Sequence, residues 1–235
     1  MNKGFYLFLA ICLFGLHLNA QEVAFEKEPA IDSLIPRSGP NYAHYLHTYL
    51  GLGMAIDGGE KGAQVIQPHF FDEWHFGIRY KRKVNNVFAL GTAMEYNNTQ
   101  FTMRQNAQKV LPDTLHYKKQ RMVFHKARLE LFFRINYDKR RGNSLGNYLD
   151  LGAFGDFTFA HVQYNKFKNP DNTLTKAKTS GFTYFNRLGY GLRFRVGFNL
   201  WSVYAQYRLS DQFYPSRNLP ELPRFTAGLE WTMKK

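Results

Sequence analysis

From Asn186 to Ser210 the chain alternates with a period of two. Leu188, Tyr190, Leu192, Phe194 and Val196 fall on one side, and Arg187, Gly189, Gly191, Arg193 and Arg195 on the other. After a break at Gly197-Phe198-Asn199 the beat resumes, with Trp201, Val203, Ala205, Tyr207 and Leu209 against Ser202, Tyr204, Gln206, Arg208 and Ser210. One apolar face and one polar face at this period predict the two strands of a hairpin. The same code predicts six more strands, at 42–55, 72–82, 87–97, 121–137, 148–163 and 224–233, for eight in all. Asn98–Gln120 and Tyr164–Gly181 read as long basic loops, and Asp211–Pro223 as a proline-rich one.

Alternation alone is shared by a membrane barrel and a soluble lipocalin-like calyx. Three features put the apolar face outside. Glycines gather on the polar face (Gly51, Gly53, Gly77, Gly91, Gly152, Gly189, Gly191, Gly228), where a narrow eight-stranded lumen needs room beside long arginines. Aromatic residues stand at both ends of the apolar stripes. Tyr80, Phe88, Tyr137, Trp201 and Trp231 form an expected inner girdle, and Trp74, Tyr96, Phe159, Tyr184 and Tyr207 an outer one. The last strand carries Thr226, Gly228, Trp231 and Met233 in the order of the C-terminal signal read by barrel-assembly machinery, with methionine where a terminal aromatic is usual. The fold class expected is therefore all-β: an eight-stranded antiparallel up-and-down transmembrane β-barrel over 42–235. Long and short connections alternate along it, as in outer-membrane barrels. On this pattern the chain resembles the small eight-stranded bacterial outer-membrane barrels, OmpA/OmpX-like or PorT-like in the broad sense. The resemblance implies fold and location. Its PorT-like members imply an accessory role in a secretion or envelope complex.

The address agrees. Residues 1–20 read as a signal peptide, with Lys3 ahead of an apolar run from Phe5 to Leu16 that is too short to span a bilayer. Residues 21–41 read as a periplasmic extension with little regular structure. The single cysteine, Cys12, lies in the leader, so the mature chain has no thiol for a disulfide, a zinc site or a nucleophile. Ile11 before it is too bulky for a lipoprotein signal. The formal charge of +13 fits anionic lipid as readily as nucleic acid, and the leader argues against an intracellular nucleic-acid role.

The polar face holds Arg79, Lys81, Lys126, Arg128, Arg134, Arg187, Arg193, Arg195 and Arg208 with Glu95, Glu130, Asp150, Asp156 and Glu230. Buried charges must be paired. If Arg134 faces Asp150, an antiparallel register also sets Arg128 against Asp156. The expected lumen network comprises Arg128, Glu130, Arg134, Asp150, Asp156, Arg187, Arg193, Arg195, Arg208 and Glu230. It reads foremost as a solid polar core, and secondarily as a narrow anion path. No catalytic string is present. Ser202 and Ser210 lack a flanking histidine and acid. His69 and His161 read as loop or rim residues, and His44, His47 and His75 lack enough companions for a metal site. No cofactor or nucleic-acid motif occurs. Arg104, Lys109, Lys118, Lys119, Arg121, Lys166, Lys168, Lys176 and Lys178 make the outer loops basic, for contact with lipopolysaccharide or merely with solvent. The expected partners are outer-membrane lipid including lipopolysaccharide, the assembly machinery, and subunits of an envelope complex. The leading expectation is a non-enzymatic interaction or assembly component, with a diffusion channel, a lipid A-modifying enzyme and a soluble barrel as rivals.

Overall fold

Among the described residues nine antiparallel strands make one sheet: β1 (His44–Ala55), β2 (Glu73–Lys83), β3 (Phe88–Met103), β4 (Lys119–Asn136), β5 (Asn147–Lys168), β6 (Leu174–Ser180), β7 (Leu188–Phe198), β8 (Trp201–Arg208) and β9 (Phe225–Met233). The computed structural model describes residues 38–66, 71–138, 141–168, 171–181 and 183–233. The leader, most of the 21–41 extension and His69 lie outside the described residues. Eight strands close a ring by neighbour pairing, β1 meeting both β2 and β9, and β4 meeting β5, while β6 pairs with the outer end of β5.

Following the register once around the ring gives its geometry. The line of partners leaves β1 at His44 and passes Arg82, Leu90, Phe133, Leu151, Phe194, Ala205 and Ala227. It returns to β1 at Met54, ten residues further on. With ~3.3 Å per residue and ~4.7 Å between strands, that stagger tilts the strands by about 41° and gives a backbone radius of about 8 Å. Each residue then climbs ~2.5 Å along the barrel axis.

The two faces of the wall separate sharply. Outward residues are apolar and bare, as at Leu131 (64 % exposed) and Leu188 (73 %), whereas inward Arg79 and Arg195 are 0 % exposed. An apolar surface of this extent belongs in hydrocarbon rather than water. From Ala127 on β4 to Tyr137 just beyond it, the outward apolar run climbs about 25 Å, the height of a transmembrane barrel's apolar band.

Glycines on the inner face make room for rings. Tyr148 faces Gly197, Phe154 faces Gly191, Tyr204 faces Gly228 and Phe132 faces Gly91. A Cβ on Gly197 would stand 2.0 Å from the Tyr148 ring, and one on Gly91 2.2 Å from Phe132.

Above the band, two strands run further than the alternation predicts, and a further strand stands where it predicts a loop. β3 reaches Met103 rather than residue 97, β5 reaches Lys168 rather than 163, and Tyr164–Gly181 is mostly a β5–β6 hairpin rather than a loop. The amphipathic pattern inverts there. Inward positions become apolar (Phe101, Met103, Met122, Phe124) and outward ones polar (Gln100, Thr102, Arg121, Lys119), so these segments resemble loops to a search for apolar-outward strands.

Gly197→Val should lower the urea midpoint of the barrel in lipid vesicles, by about 1–3 kcal/mol of overpacking. Gly155→Val, where a Cβ would meet nothing within 4 Å, should leave the midpoint unchanged. Equal midpoints for the two variants would contradict the packing described.

Candidate functional site

The lumen is filled by charge. Six carboxylates (Glu73, Glu95, Glu130, Asp150, Asp156, Glu230) meet five arginines (Arg79, Arg128, Arg134, Arg193, Arg195) and Lys126. The two sets are equal in number, so the formal charge of this group cancels. Arg193 is the hub. Its guanidinium lies 2.9 Å from Glu95, 3.0 Å from Glu130, 3.7 Å from Glu230 and 3.9 Å from Glu73, which come from four different strands. Arg195 joins Glu130 (3.0 Å), Asp150 (2.9 Å) and Glu230 (2.8 Å). Arg134 holds Asp150 through two hydrogen bonds, and Arg128 holds Asp156 in the same way.

Strand register sets these pairs. Arg134 stands opposite Asp150 and Arg128 opposite Asp156 across β4 and β5, and Arg195 stands opposite Asp150 on the β7 side. Aromatic rings complete the arginine coordination. Arg134 lies 3.5 Å from the Tyr148 centroid, Arg79 3.9 Å from Tyr49 and Arg128 3.9 Å from Phe154. Cation–π contact of this kind is strongest where water is excluded. His75 sits between Glu73 (3.4 Å) and Glu230 (3.3 Å), and the Tyr49 hydroxyl donates to Glu95 at 2.6 Å. Between Glu73, Lys126, Arg128, Asp156, Gln206 and Arg208 a space of about 20 Å³ remains, room for one water.

Both mouths are covered. At the outer mouth the strand residues Ala55, Phe101, Met103, Met122 and Phe124 pack with Ala63, Val65, Leu111, Phe185, Phe213 and Leu222 from the connections. The β1–β2, β3–β4, β6–β7 and β8–β9 connections all contribute to this apolar cap. Burial, together with the Asp113 carboxylate that accepts its hydroxyl at 3.0 Å, pushes the Tyr117 phenol up to about 12. At the inner mouth Lys83 donates to the Asn41 carbonyl (3.1 Å), Lys81 donates to the Pro40 carbonyl, and Asn41 donates to Gly142 (2.7 Å). Tyr45, Leu145, Tyr148 and Leu200 cluster beside this segment.

Two residues expected in the lumen network lie elsewhere. Arg187 precedes β7 and is exposed, although its carbonyl still accepts the Thr158 amide at 2.7 Å. Arg208 is buried at the top and pairs with Glu221 of the last connection (3.0 Å), whose carboxylate also accepts from the Gln212 amide. Glu73, Arg79, Glu95 and Lys126 belong to the network in addition to the residues expected there. Of these Glu73 stood at the very start of its strand, where parity alone was the signal.

At the rims, the Trp201 and Trp231 rings meet in a tilted pair at 6.2 Å between centroids, and Tyr80 meets His44 with 2.7 Å between hydroxyl and Nδ1. Tyr137 is exposed just beyond β4 at the same end. Trp74 and Tyr96 pair at 5.1 Å at the opposite end, and Tyr207 faces outward. Tyr184 instead packs on Phe213 in the cap. Thr226 points inward, Gly228 lies under Tyr204, and Met233 stands opposite Thr48 at the end of β9. His125, the polar break in the outward stripe, is bonded through Nδ1 to Tyr96 Oη (2.6 Å) and Asn98 (3.0 Å).

The serines and histidines weighed as catalytic groups are dispersed. The Ser210 hydroxyl accepts the Tyr190 amide and His161 Nε2 accepts the Gly181 amide. Ser202 stands opposite Glu230 deep in the lumen, and His47 stacks on Tyr45 near the inner mouth. Among the described residues no group of three or more His, Cys, Asp or Glu is placed to hold a metal ion.

Comparison with known proteins gives little beyond this geometry. No family model matches the chain. No curated protein matches it. Among solved structures it is similar to Ail, the attachment invasion locus protein of Yersinia pestis, in complex with the heparin analogue sucrose octasulfate. The TM-score is 0.35 and the identity 11 %, over 80 % of this chain and 97 % of that one.

Arg193→Ala leaves four carboxylates without their shared cation and should cost about 3–5 kcal/mol, the range for breaking a buried ion pair. Arg82→Ala, an exposed residue at the inner end of β2, should change stability by less than about 0.5 kcal/mol. Urea unfolding from vesicles measures both.

Proposed function

We propose that the protein is an integral outer-membrane β-barrel that acts without catalysis, as an interaction or assembly component of the envelope. In this reading residues 1–20 direct export and are removed. The closing strand with Thr226, Gly228, Trp231 and Met233 is read by the assembly machinery. The observation that carries the proposal is the sealed lumen. The core is filled by paired charges, with a space of about 20 Å³ beside Asp156 and Gln206, and described residues of the chain pack at both mouths. A barrel whose described residues fill the lumen and assemble no nucleophile acts through its surfaces. Those are the lipid-facing wall and the strands that stand above it.

A diffusion channel needs a continuous aqueous path, which the Arg193 and Arg195 clusters interrupt. A lipid-modifying enzyme needs a nucleophile or base at the outer rim. The outward histidine there, His125, is already engaged at Nδ1 by Tyr96 and Asn98.

The protein purified from its own outer membrane in mild detergent should migrate on a native gel as a stoichiometric complex larger than the barrel. In planar bilayers it should give no stepwise ion current. A lone heat-modifiable band would overturn the assembly role, and reproducible conductance would overturn the sealed lumen.

A further inference from the structure

The basic residues of the outer segments fall into register on a single face of the sheet. Lys119 of β4 faces Lys166 of β5, which faces Lys176 of β6. Two residues lower, Arg121 faces Tyr164, which faces Lys178. Residues two apart on a strand share a face, so five cations and one tyrosine form two adjoining rows. Five of the six line an open groove of about 260 Å³, and the Arg121 guanidinium lies 5.4 Å from the Tyr164 centroid. No carboxylate stands in either row. Asp113, the acid of the β3–β4 connection, is bonded by Gln120 and Gln163, whose side chains point to the opposite face. Like charges placed directly across a sheet repel one another. The arrangement therefore weakens the sheet unless an anion sits against it.

Position identifies that anion. The rows lie on the outward face, in the same β4 column as lipid-facing Leu129 and Ala127. His125 and Val123 come between, and then Arg121 and Lys119. The cations thus look sideways over the membrane rather than up into the medium. At ~2.5 Å of climb per residue, the Arg121 row stands about 10 Å above His125 and the Lys119 row about 15 Å. Phospholipid headgroups extend only ~5–8 Å beyond the hydrocarbon in each leaflet. Sugar-linked phosphates of a glycolipid reach higher. We propose that Lys119, Arg121, Lys166, Lys176 and Lys178 form a docking surface for the phosphate groups of a membrane-anchored glycolipid beside the barrel wall. Tyr164 supplies a flat contact for a sugar ring. This inference rests on the barrel's lying in a membrane whose outer leaflet carries such lipids.

The test uses the full mature chain in mild detergent, mixed with phosphorylated lipopolysaccharide and followed by native mass spectrometry. Parallel arms use dephosphorylated lipopolysaccharide and a soluble sulfated oligosaccharide. Wild type should retain the phosphorylated glycolipid, and the variant K119Q/K166Q/K176Q/K178Q should retain it at least about tenfold less. Dephosphorylation should produce the same loss. The control R82Q/K83Q, which removes two cations at the opposite end of the barrel, should bind like wild type. The quadruple variant should keep or raise the wild-type urea midpoint, since its substitutions relieve repulsion. Unchanged retention in that variant, or in the dephosphorylated arm, overturns the proposal. A site that prefers the sulfated oligosaccharide and ignores the glycolipid overturns it in favour of a soluble polyanion. Insertion into lipid nanodiscs and heat-modifiable migration are scored separately, so failure of the membrane-barrel reading is distinguishable from failure of this site.

Discussion

Six carboxylates and six cations share a lumen about 8 Å in backbone radius, and the rest of the barrel is arranged around keeping them paired. A wall immersed in hydrocarbon places every apolar side chain outside and leaves the interior to polar groups. Each buried ion without a partner costs several kcal/mol, so the charges have to cancel locally as well as in total. Arginine suits this task because one planar fork can serve several carboxylates. Arg193 does so with acids from β2, β3, β4 and β9. A register slip of one residue on any of these strands would turn its acid to the lipid. The network therefore fixes register as well as neutrality.

The glycines and inward aromatics are part of the same solution. Arg128 and Arg134 each lie over a ring, and the rings of Phe154 and Tyr148 stand over Gly191 and Gly197, where a Cβ would come within 2.6 and 2.0 Å of them. Backbone, ring and guanidinium stack in that order from wall to centre. Glycine beneath the ring is what allows the ring to lie flat, and the ring is what covers an arginine face that no carboxylate reaches. Gly191 and Gly197 thus make space for aromatic rings first, and for arginines only through them.

Much of this was legible because period-two alternation and antiparallel register are both arithmetic. The pairing of Arg134 with Asp150 and of Arg128 with Asp156 sits on one register line, so reading one pair gives the other. Arg187 has the right parity, but parity does not say where a strand stops pairing, and β7 begins one residue later. Arg208 has the right parity too, yet it stands above the lumen, where Glu221 from a connection reaches it. β6 was hidden for a different reason. Its residues Leu174–Ser180 are exposed on nearly all sides, so no apolar face marks it, and the partner that orders it is the equally polar end of β5.

The inversion of amphipathicity along β3 and β4 locates the membrane surface from within the chain. Below it, the strands turn Met94, Tyr96, Ala127 and Leu129 outward and charges inward. Above it, Phe101, Met103, Met122 and Phe124 turn inward into the cap, and Gln100, Arg121 and Lys119 turn outward. One continuous strand can satisfy both solvents only by exchanging the chemistry of its two faces where the medium changes. The crossover falls between Lys126, which still belongs to the ionic lumen, and Phe124, which already belongs to the apolar cap. It coincides with His125 and its bond to Tyr96. The aromatic and histidine groups at that level have one apolar side and one hydrogen-bonding end, the character suited to an interface. The cation rows begin four residues higher on the same outward face. The boundary that closes the lumen from above is thus also the one at which the outer wall passes from apolar to basic.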